Sequence, residues 1–470
     1  MSSFSGLSTA LSSLIAQRQA LEVAGQNVAN ANTKGYTRQR VDMQSIQALT
    51  APTMFSAQVG AGTGVKVVGV ERLGDIYLDA RLRAETGTAS YTAGRADALA
   101  RLQTTITEPS DKGFAATLQA FWAGWQDVAN HPDDAAARKV LIGAADNALK
   151  QIADGYRAVQ TQWGQARTTL DTLTTEVNTT AQAVAHLNEQ IRSILVSGGS
   201  ASELMDQRDQ HITALSSLVG AQARQRDDGT IDVMVGGNAL VSGVRARPVA
   251  ASGGYVMGDS VELVWAGATP AQSIGLTGGS MAATLESLRP AAGGNGGAIA
   301  EAAQRWNEIA TALADTVNAV HTTGLTTAGT AGTEFFAKDA VLPAALGLSV
   351  AVDVDGIAAR GAGTGPLDGS IADAISRIPT TTPGGADDLW AAFVVDLGVQ
   401  TRSAEQRAGV TEAARKTAEN LQLSQASVDV DEEMVNMLAY QRAYEGAARV
   451  MTAIDEMLDV LINRTGVVGR

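Results

Sequence analysis

FSGLSTALSSLIAQRQALEVAGQNV (residues 4–28) and VDEEMVNMLAYQRAYEGAARVMTAIDEMLDVL (residues 430–461) decide how this chain folds. In the first stretch Phe4, Leu7, Leu11, Leu14, Leu21 and Val28 recur in steps of three and four, with Arg18 and Gly25 in the skipped beats. In the second, Val430, Met434, Met437, Tyr444, Ala448 and Met451 keep that rhythm, and Gln441 fills the gap. A step of three then leads to Ile454, Leu458 and Leu461, which reads as a locally overwound coiled coil. Each seam is a narrow apolar stripe that a lone helix leaves in water. Seams at both ends of a 470-residue chain predict terminal helices that pack on each other and on neighbouring copies, and whose order is completed on assembly.

The length predicts two to four domains rather than a single core. With aromatics at only 4%, an aromatic-lined substrate cleft is a poor expectation, and Ala-faced helices are a good one. The net charge of −14 argues against nucleic acid and against anionic membranes, both of which need a basic surface. The absence of cysteine removes disulfides, thiolate metal sites and thiol nucleophiles together. No apolar window is long enough to predict a membrane span. Because the first basic residue is Arg18 and Ser and Thr interrupt the opening stretch, no cleavable secretory signal is expected. The chain then either stays inside the cell or carries an uncleaved N-terminus read by a dedicated export machine.

Between the seams, periodicity predicts helices over 3–31, 75–106, 113–129, 133–196, 201–219, 279–321 (with a Gly-rich break at 293–297) and 387–424. Pro132 is expected in the first turn of the longest helix. Asp429 with Glu432 reads as a capping box for the terminal helix. Strand-and-turn patterning marks a hairpin near 37–70 and a small inserted β domain over 221–280, opened by the turn Arg226-Asp-Asp-Gly-Thr. The expected architecture is mainly α with inserted β. Residues 1–36 and 428–470 form a paired terminal coiled-coil domain; 37–220, 281–323 and 385–427 form an elongated helical bundle; 221–280 form an outer β domain. Residues 324–384, rich in Gly, Thr and Ala, read as either a small subdomain or a long loop.

Catalytic chemistry finds no foothold. His131, His186, His211 and His321 stand singly, without metal-ligand spacing or a carboxylate cluster, and each reads as structural or solvent-facing. Gly60-Ala-Gly-Thr-Gly lacks the third glycine of a nucleotide loop and leads into a strand, so it reads as a hairpin turn. Asp353-Val-Asp-Gly lacks the distal Glu of a calcium loop and reads as a turn. No catalytic, cofactor or metal residues are expected, and an enzyme with an unrecognised site in 221–280 or 324–384 is the weaker alternative.

The exit of the first helix carries a more specific string. Ala29-Asn30-Ala31-Asn32-Thr33-Lys34-Gly35-Tyr36 resembles the A-N-x-x-T-x-G-Y signature of the bacterial flagellar axial proteins, the rod, hook and junction subunits. Within them, Ser202-Glu-Leu-Met-Asp-Gln-Arg-Asp209 is similar to the S-x-D-L-x-D-Q-R-D segment of the hook-associated family. Asp228-Gly229, Gly236-Gly237 and Leu240-Val-Ser-Gly243 follow in that family's order, and Phe121-Trp-x-x-Trp125, Asn130-x-Pro132 and Gly324 through Glu334-Phe-Phe336 also fit it. Ala426-Ser-Val-Asp-Val-Asp-Glu-Glu433 resembles its S-G-V-N-L-D-E-E lead-in, with Ser427 replacing Gly and Asp429 replacing Asn. The resemblance weakens over 244–275 and 337–385.

It implies a structural subunit of the junction ring between hook and filament, required for filament assembly and located in the extracellular flagellum after export through the flagellar type III channel. The implied partners are further copies of the chain in a helical ring, the hook protein, a second junction protein toward the filament, and an export chaperone on the C-terminal helix. The alternative within the class is another axial subunit, of hook or filament type. The candidate assembly residues are Leu7, Leu11, Leu14, Leu21, Val28, Met434, Met437, Tyr444, Met451, Leu458 and Leu461, with Ala29, Asn30, Thr33, Gly35 and Tyr36 as the family motif.

Overall fold

The computed structural model describes residues 3–47 and 62–463, with the side chains of 6–47 and 62–462. The loop of the expected hairpin over 48–61, with Gly60, the side chain of Phe4, and residues 464–470 lie outside the described residues. The chain opens with α1 (Ser3–Asn30) and an antiparallel hairpin, β1 (Gln39–Ser45) on β2 (Val65–Arg72), whose register shifts between Asp42 and Met43. Four helices follow: α2 (Ile76–Thr104), α3 (Phe114–Asn130), α4 (Ala135–Val196) and α5 (Ser202–Val219). Caps set their ends. The Asp75 carboxylate accepts the Tyr77 amide at 2.7 Å to start α2, and Gly220, at φ +67, ends α5 in the left-handed region. Pro132 is not in the first turn of α4, contrary to expectation. Asp134 takes the cap by accepting the Ala136 amide at 2.8 Å, and the Pro132 carbonyl instead receives Arg138 Nε at 2.8 Å.

The β insert comprises β3 (Gln222–Gln225), β4 (Ile231–Val235), β5 (Asn238–Ser242) and β6 (Arg245–Ala246) as one antiparallel meander, with β7 (Val249–Ser252) paired to β8 (Glu262–Trp265). It lies along the second half of α4, fixed by side chains of that helix. Asn188 donates to the Ile231 and Gly243 carbonyls, Asn178 to Val249, and Arg167 to Gly254. The chain then forms α6 (Ser280–Leu288), α7 (Ala298–His321), β9 (Phe336–Lys338), α8 (Ala344–Gly347), β10 (Leu348–Val350), α9 (Ser370–Ser376), α10 (Ile378–Thr381), α11 (Ala386–Ala426) and α12 (Val430–Asn463).

At about 1.5 Å per residue, the 62 residues of α4 make a spine of roughly 93 Å. One end of the body is aromatic: Phe114 meets Trp306 and Trp390 edge-on with ring centroids 5.5 and 5.1 Å apart, and Phe121 packs against Trp122, Phe335 and Phe336. Residues 324–384 close this end rather than protrude. Phe335, Phe336, Ile357 and Ile375 are fully buried, and Arg138 of α4 donates to the carbonyls of Val354 and Ile357. His321 belongs to the same packing, its Nδ1 donating to the Thr333 carbonyl at 2.6 Å and its Nε2 accepting the Ala358 amide at 2.9 Å. From here α11 runs back antiparallel to α2, with Thr411 and Thr92 hydroxyls 2.6 Å apart and Gln422 donating to Asp79. Its 41 residues carry the chain about 60 Å to the hairpin, where the Ala426 carbonyl accepts the Arg38 amide at 2.8 Å.

Candidate assembly site

The terminal helices are antiparallel partners within one chain. Two fixed points give the register: Gly6 lies against Ile454, where a Cβ would sit 3.1 Å from its Cδ1, and Asn27 donates to Glu433 at 3.2 Å. The two points are equally spaced on both helices, so the pair holds one register throughout. On α1 the buried positions are mostly small, Ala10, Ala16, Ala20 and Ala24 with Leu14. On α12 the covered positions of one frame are Glu433, Met437, Tyr440, Ala447, Met451, Ile454 and Leu458, with Asn436, Glu445 and Ala448 half-buried beside it.

This frame differs from the expected one over the first half of the helix. The covered residues keep one frame of alternating steps of four and three, interrupted only at the exposed Tyr444, so the step from Met451 to Ile454 is regular continuation and not overwinding. Of the expected seam, Leu14 is buried and Leu7, Leu21, Val28, Met437, Met451 and Leu458 are half-buried, whereas Leu11, Met434, Tyr444 and Leu461 are exposed. A second apolar stripe therefore faces outward. It holds Leu11 and Ile15 on α1, and on α12 the outward apolar side chains lie on two flanks, Met434 with Leu438 and, further along, Met457 with Leu461.

At the exit of α1 the three motif segments meet in one polar joint. The chain turns at Gly35 (φ +78), where any Cβ would overlap the Gln210 side chain, and the Gln210 amide donates to the Lys34 carbonyl at 2.9 Å. Thr33 donates to Asn30 at 3.2 Å, bracing the turn, while Ala29 stays exposed. Tyr36 then folds back so that its hydroxyl donates to Asn27 Oδ1 at 2.9 Å. Asn27 is 1% exposed and also bridges both backbone groups of Gln39, accepting from its N–H at 3.0 Å and donating to its carbonyl at 2.8 Å. Arg38 forks onto Glu432 at 2.9 and 3.0 Å and reaches Glu433 through Nε at 2.8 Å. The expected capping box is thus half made. Asp429 caps α12 by accepting the Asp431 and Glu432 amides, but the Glu432 carboxylate is taken by Arg38.

Asp206-Gln-Arg-Asp209 forms the other half of the joint. Asp206 accepts the Thr37 amide at 3.2 Å and Arg72 at 2.5 Å; Asp209 accepts Arg72 at 2.9 Å and Arg83 at 3.1 Å. Arg208 points the other way, donating to Asn188 and to the Gly229 carbonyl, and so ties the same helix turn to the β insert. Burial dominates the electrostatics. It pushes the Tyr36 hydroxyl up to about 12, helped by the charges of Asp206, Glu203 and Glu433, and pulls the Arg208 guanidinium down to about 10. It also raises the Asp206 carboxyl above its usual range despite Arg72 and Thr37. Arg38 is raised, chiefly by its bond to Glu432.

This arrangement fixes an angle between helices and body; it has no nucleophile beside a base. Among the described residues no group of three or more His, Cys, Asp or Glu is placed to hold a metal ion, and no helix is long and apolar enough to cross a membrane. The sequence reading found the motif strings, Asp206 among them, but gave no joining role to Asn27, Arg38, Arg72 or Asp206. The one available signal was the co-occurrence of three polar strings with no chemistry of their own.

Comparison with known proteins agrees with this geometry. A family profile described as the flagellar hook-associated protein FlgK helical domain matches residues 99–336, about half of the chain. A flagella basal body rod protein profile matches residues 7–37, and the C-terminal profile of the basal body rod FlgEFG proteins matches 422–464. The flagellar hook-associated protein 1 of Bacillus subtilis is 29% identical, with both chains covered in full. That of Escherichia coli is 25% identical over 97% of this chain and 99% of its own. The solved structure of the flagellar hook junction protein FlgK from Burkholderia pseudomallei superposes with a TM-score of 0.64 at 16% identity, over 73% of this chain and all of that one. The profile over the helical body, flanked by rod-protein profiles on the two helices that meet at the joint, shows that the chain belongs to the flagellar hook-associated protein FlgK family.

Proposed function

We propose that this chain, a structural subunit of the flagellar hook–filament junction, works as a ring-forming adaptor whose terminal helix pair lines the axial tube. The observation that carries the reading is the outward apolar stripe on a helix pair already satisfied within its own chain. Leu11, Ile15, Met434, Leu438 and Met457 are about half exposed although the inner frame is filled, and burying the remaining half of each contributes about 1 kcal/mol. Head-to-tail contacts between copies suit such a two-sided pair, since they generate helical arrays.

The joint supports the adaptor role. It locks the pair to the helical body through buried, charge-assisted hydrogen bonds, so a load on the body reaches the tube as an angle instead of a loose pivot. The outward apolar side chains of α12 also suit cover by an export chaperone before assembly, and passage through the flagellar export channel belongs to the same reading. The ring's neighbours in this reading are the hook protein on one side and a second junction protein toward the filament on the other. Deletion of the gene tests the whole: complete hooks without filaments, and flagellin shed as monomer, are expected. Normal filaments in that strain would remove the junction role, and loss of the hooks would move the chain to a rod or hook position.

A further inference from the structure

We propose that a groove beside the terminal pair is a socket for an acidic, apolar-tipped segment of a second copy of this chain; the proposal rests on the ring-forming reading above. The groove encloses 790 Å3 between β2 and the start of α2 on one wall and the end of α4 with the start of α5 on the other. Its rim is apolar and open to water: Val68, Ile76 and Tyr77 are exposed, Tyr77 by 79%. Three arginines line it, Arg72, Arg83 and Arg208, the last two buried. Each leaves its Nε–H without an acceptor among the described residues, a costly state for a buried donor.

The carboxylates already present do not use up this capacity. Asp79 and Asp209 line the groove and Asp206 pairs with Arg72 from outside it, but none of them accepts an Nε–H of the three arginines. An incoming carboxylate would meet the Arg72 guanidinium, whose side chain is 20% exposed, with Arg83 and Arg208 buried behind it, and a charged hydrogen bond beneath an apolar rim is stronger than in water. Two observations name a second copy as the donor. The chain carries a net charge of −14, so close-packed copies repel unless acidic surface is received somewhere. Gln19 of α1 also lines the groove, and positions 11, 15 and 19 share one helix face, so the socket continues the outward stripe of Leu11 and Ile15.

The test uses the full chain in cells lacking the native copy, with a genetically encoded benzophenone amino acid replacing Tyr77. The expected product after irradiation of intact flagella is a two-chain species whose joined peptide carries Asp or Glu. A link to a different protein, a two-chain link through a peptide without a carboxylate, or no intermolecular link in filamented cells overturns the proposal. If that variant blocks filament growth, the same probe replaces the exposed Val196 beside the opposite wall and is judged by the same outcomes. Tyr77→Glu places like charge at the rim, in a first helical turn that tolerates it, and is expected to cut filamented cells at least tenfold with an unchanged melting temperature. Tyr77→Lys is expected to stay within twofold of wild type. Wild-type filamentation by Tyr77→Glu, or equal loss in both variants, sinks the socket. Filaments in the deletion strain would instead remove the junction reading.

Discussion

Asn27 joins more of the molecule than any residue the motif strings bring to notice. Its side chain holds Tyr36, both backbone groups of Gln39, and Glu433 of the far terminus. Asn27→Ala strands these groups in a site from which water is largely excluded, so a loss of roughly 2–4 kcal/mol is expected in the joint. Hydrogen exchange should read it as faster exchange in β1 and the first turns of α12, with α4 unchanged; unaltered exchange in β1 would show that the joint is not what holds the hairpin. At the opposite end of the body, His321 is bonded in its neutral form, and burial holds it below the usual histidine range. The unfolded chain therefore takes up a proton first, near pH 6.5. This contribution to stability is complete above that pH and falls as pH drops through the window down to the lower folded value. The raised carboxyls of Asp79, Asp206 and Asp387 have the opposite slope, losing stability as pH rises from about 4. Urea midpoints at pH 7.5 and 5.5 check the sign: His321→Gln should lower the midpoint at pH 7.5 and flatten the decline toward pH 5.5.

At the scale of the element, α4 shows how single glycines set helix packing. The indole of Trp306 lies directly on Gly155, and a Cβ there would sit 2.3 Å from the ring, whereas Gly164 has nothing within 4 Å of its added Cβ. Gly155→Ala should destabilise by about 1–3 kcal/mol through overpacking. Gly164→Ala should stabilise by up to about 1 kcal/mol through helix propensity. Thermal melts of the two variants should move in opposite directions, and a shared direction would mean that the contact with Trp306 does not govern the site. Much at this scale was legible in the sequence, because α4 and α7 repeat their apolar positions over many turns and the hairpin strands alternate theirs. The frame of α12 was not. Its sequence carries two adjacent apolar stripes, with Met434 beside Val435 and Met437 beside Leu438, and periodicity alone does not say which stripe the chain keeps for itself. Residues 324–384 were obscure for another reason. Their buried positions, Phe335, Ile357 and Ile375, sit far apart in coil and short helix, so the core they complete has no period to read.

For the whole molecule the question is which apolar contacts belong to the subunit and which to the assembly, and two substitutions on the terminal pair separate them. Ile454 is 8% exposed and packs on Gly6, so Ile454→Asp buries a carboxylate without a partner and should cost several kcal/mol in the α1–α12 pair. The helical body, held by its own aromatic core, should melt as before while α1 becomes sensitive to protease. Leu11 lies on the same helix but faces outward, half-exposed. Leu11→Asp should therefore change the stability of the free subunit by no more than about 0.5 kcal/mol. In the assembled tube the same carboxylate would enter a dry contact between copies, and filament growth should fail. The decisive comparison is a Leu11→Asp subunit that is folded, exported and protease-resistant in its terminal pair, yet unable to support filaments. If such cells swim on wild-type filaments, the outward stripe is not the contact that closes the tube, and cohesion must come from the helical body.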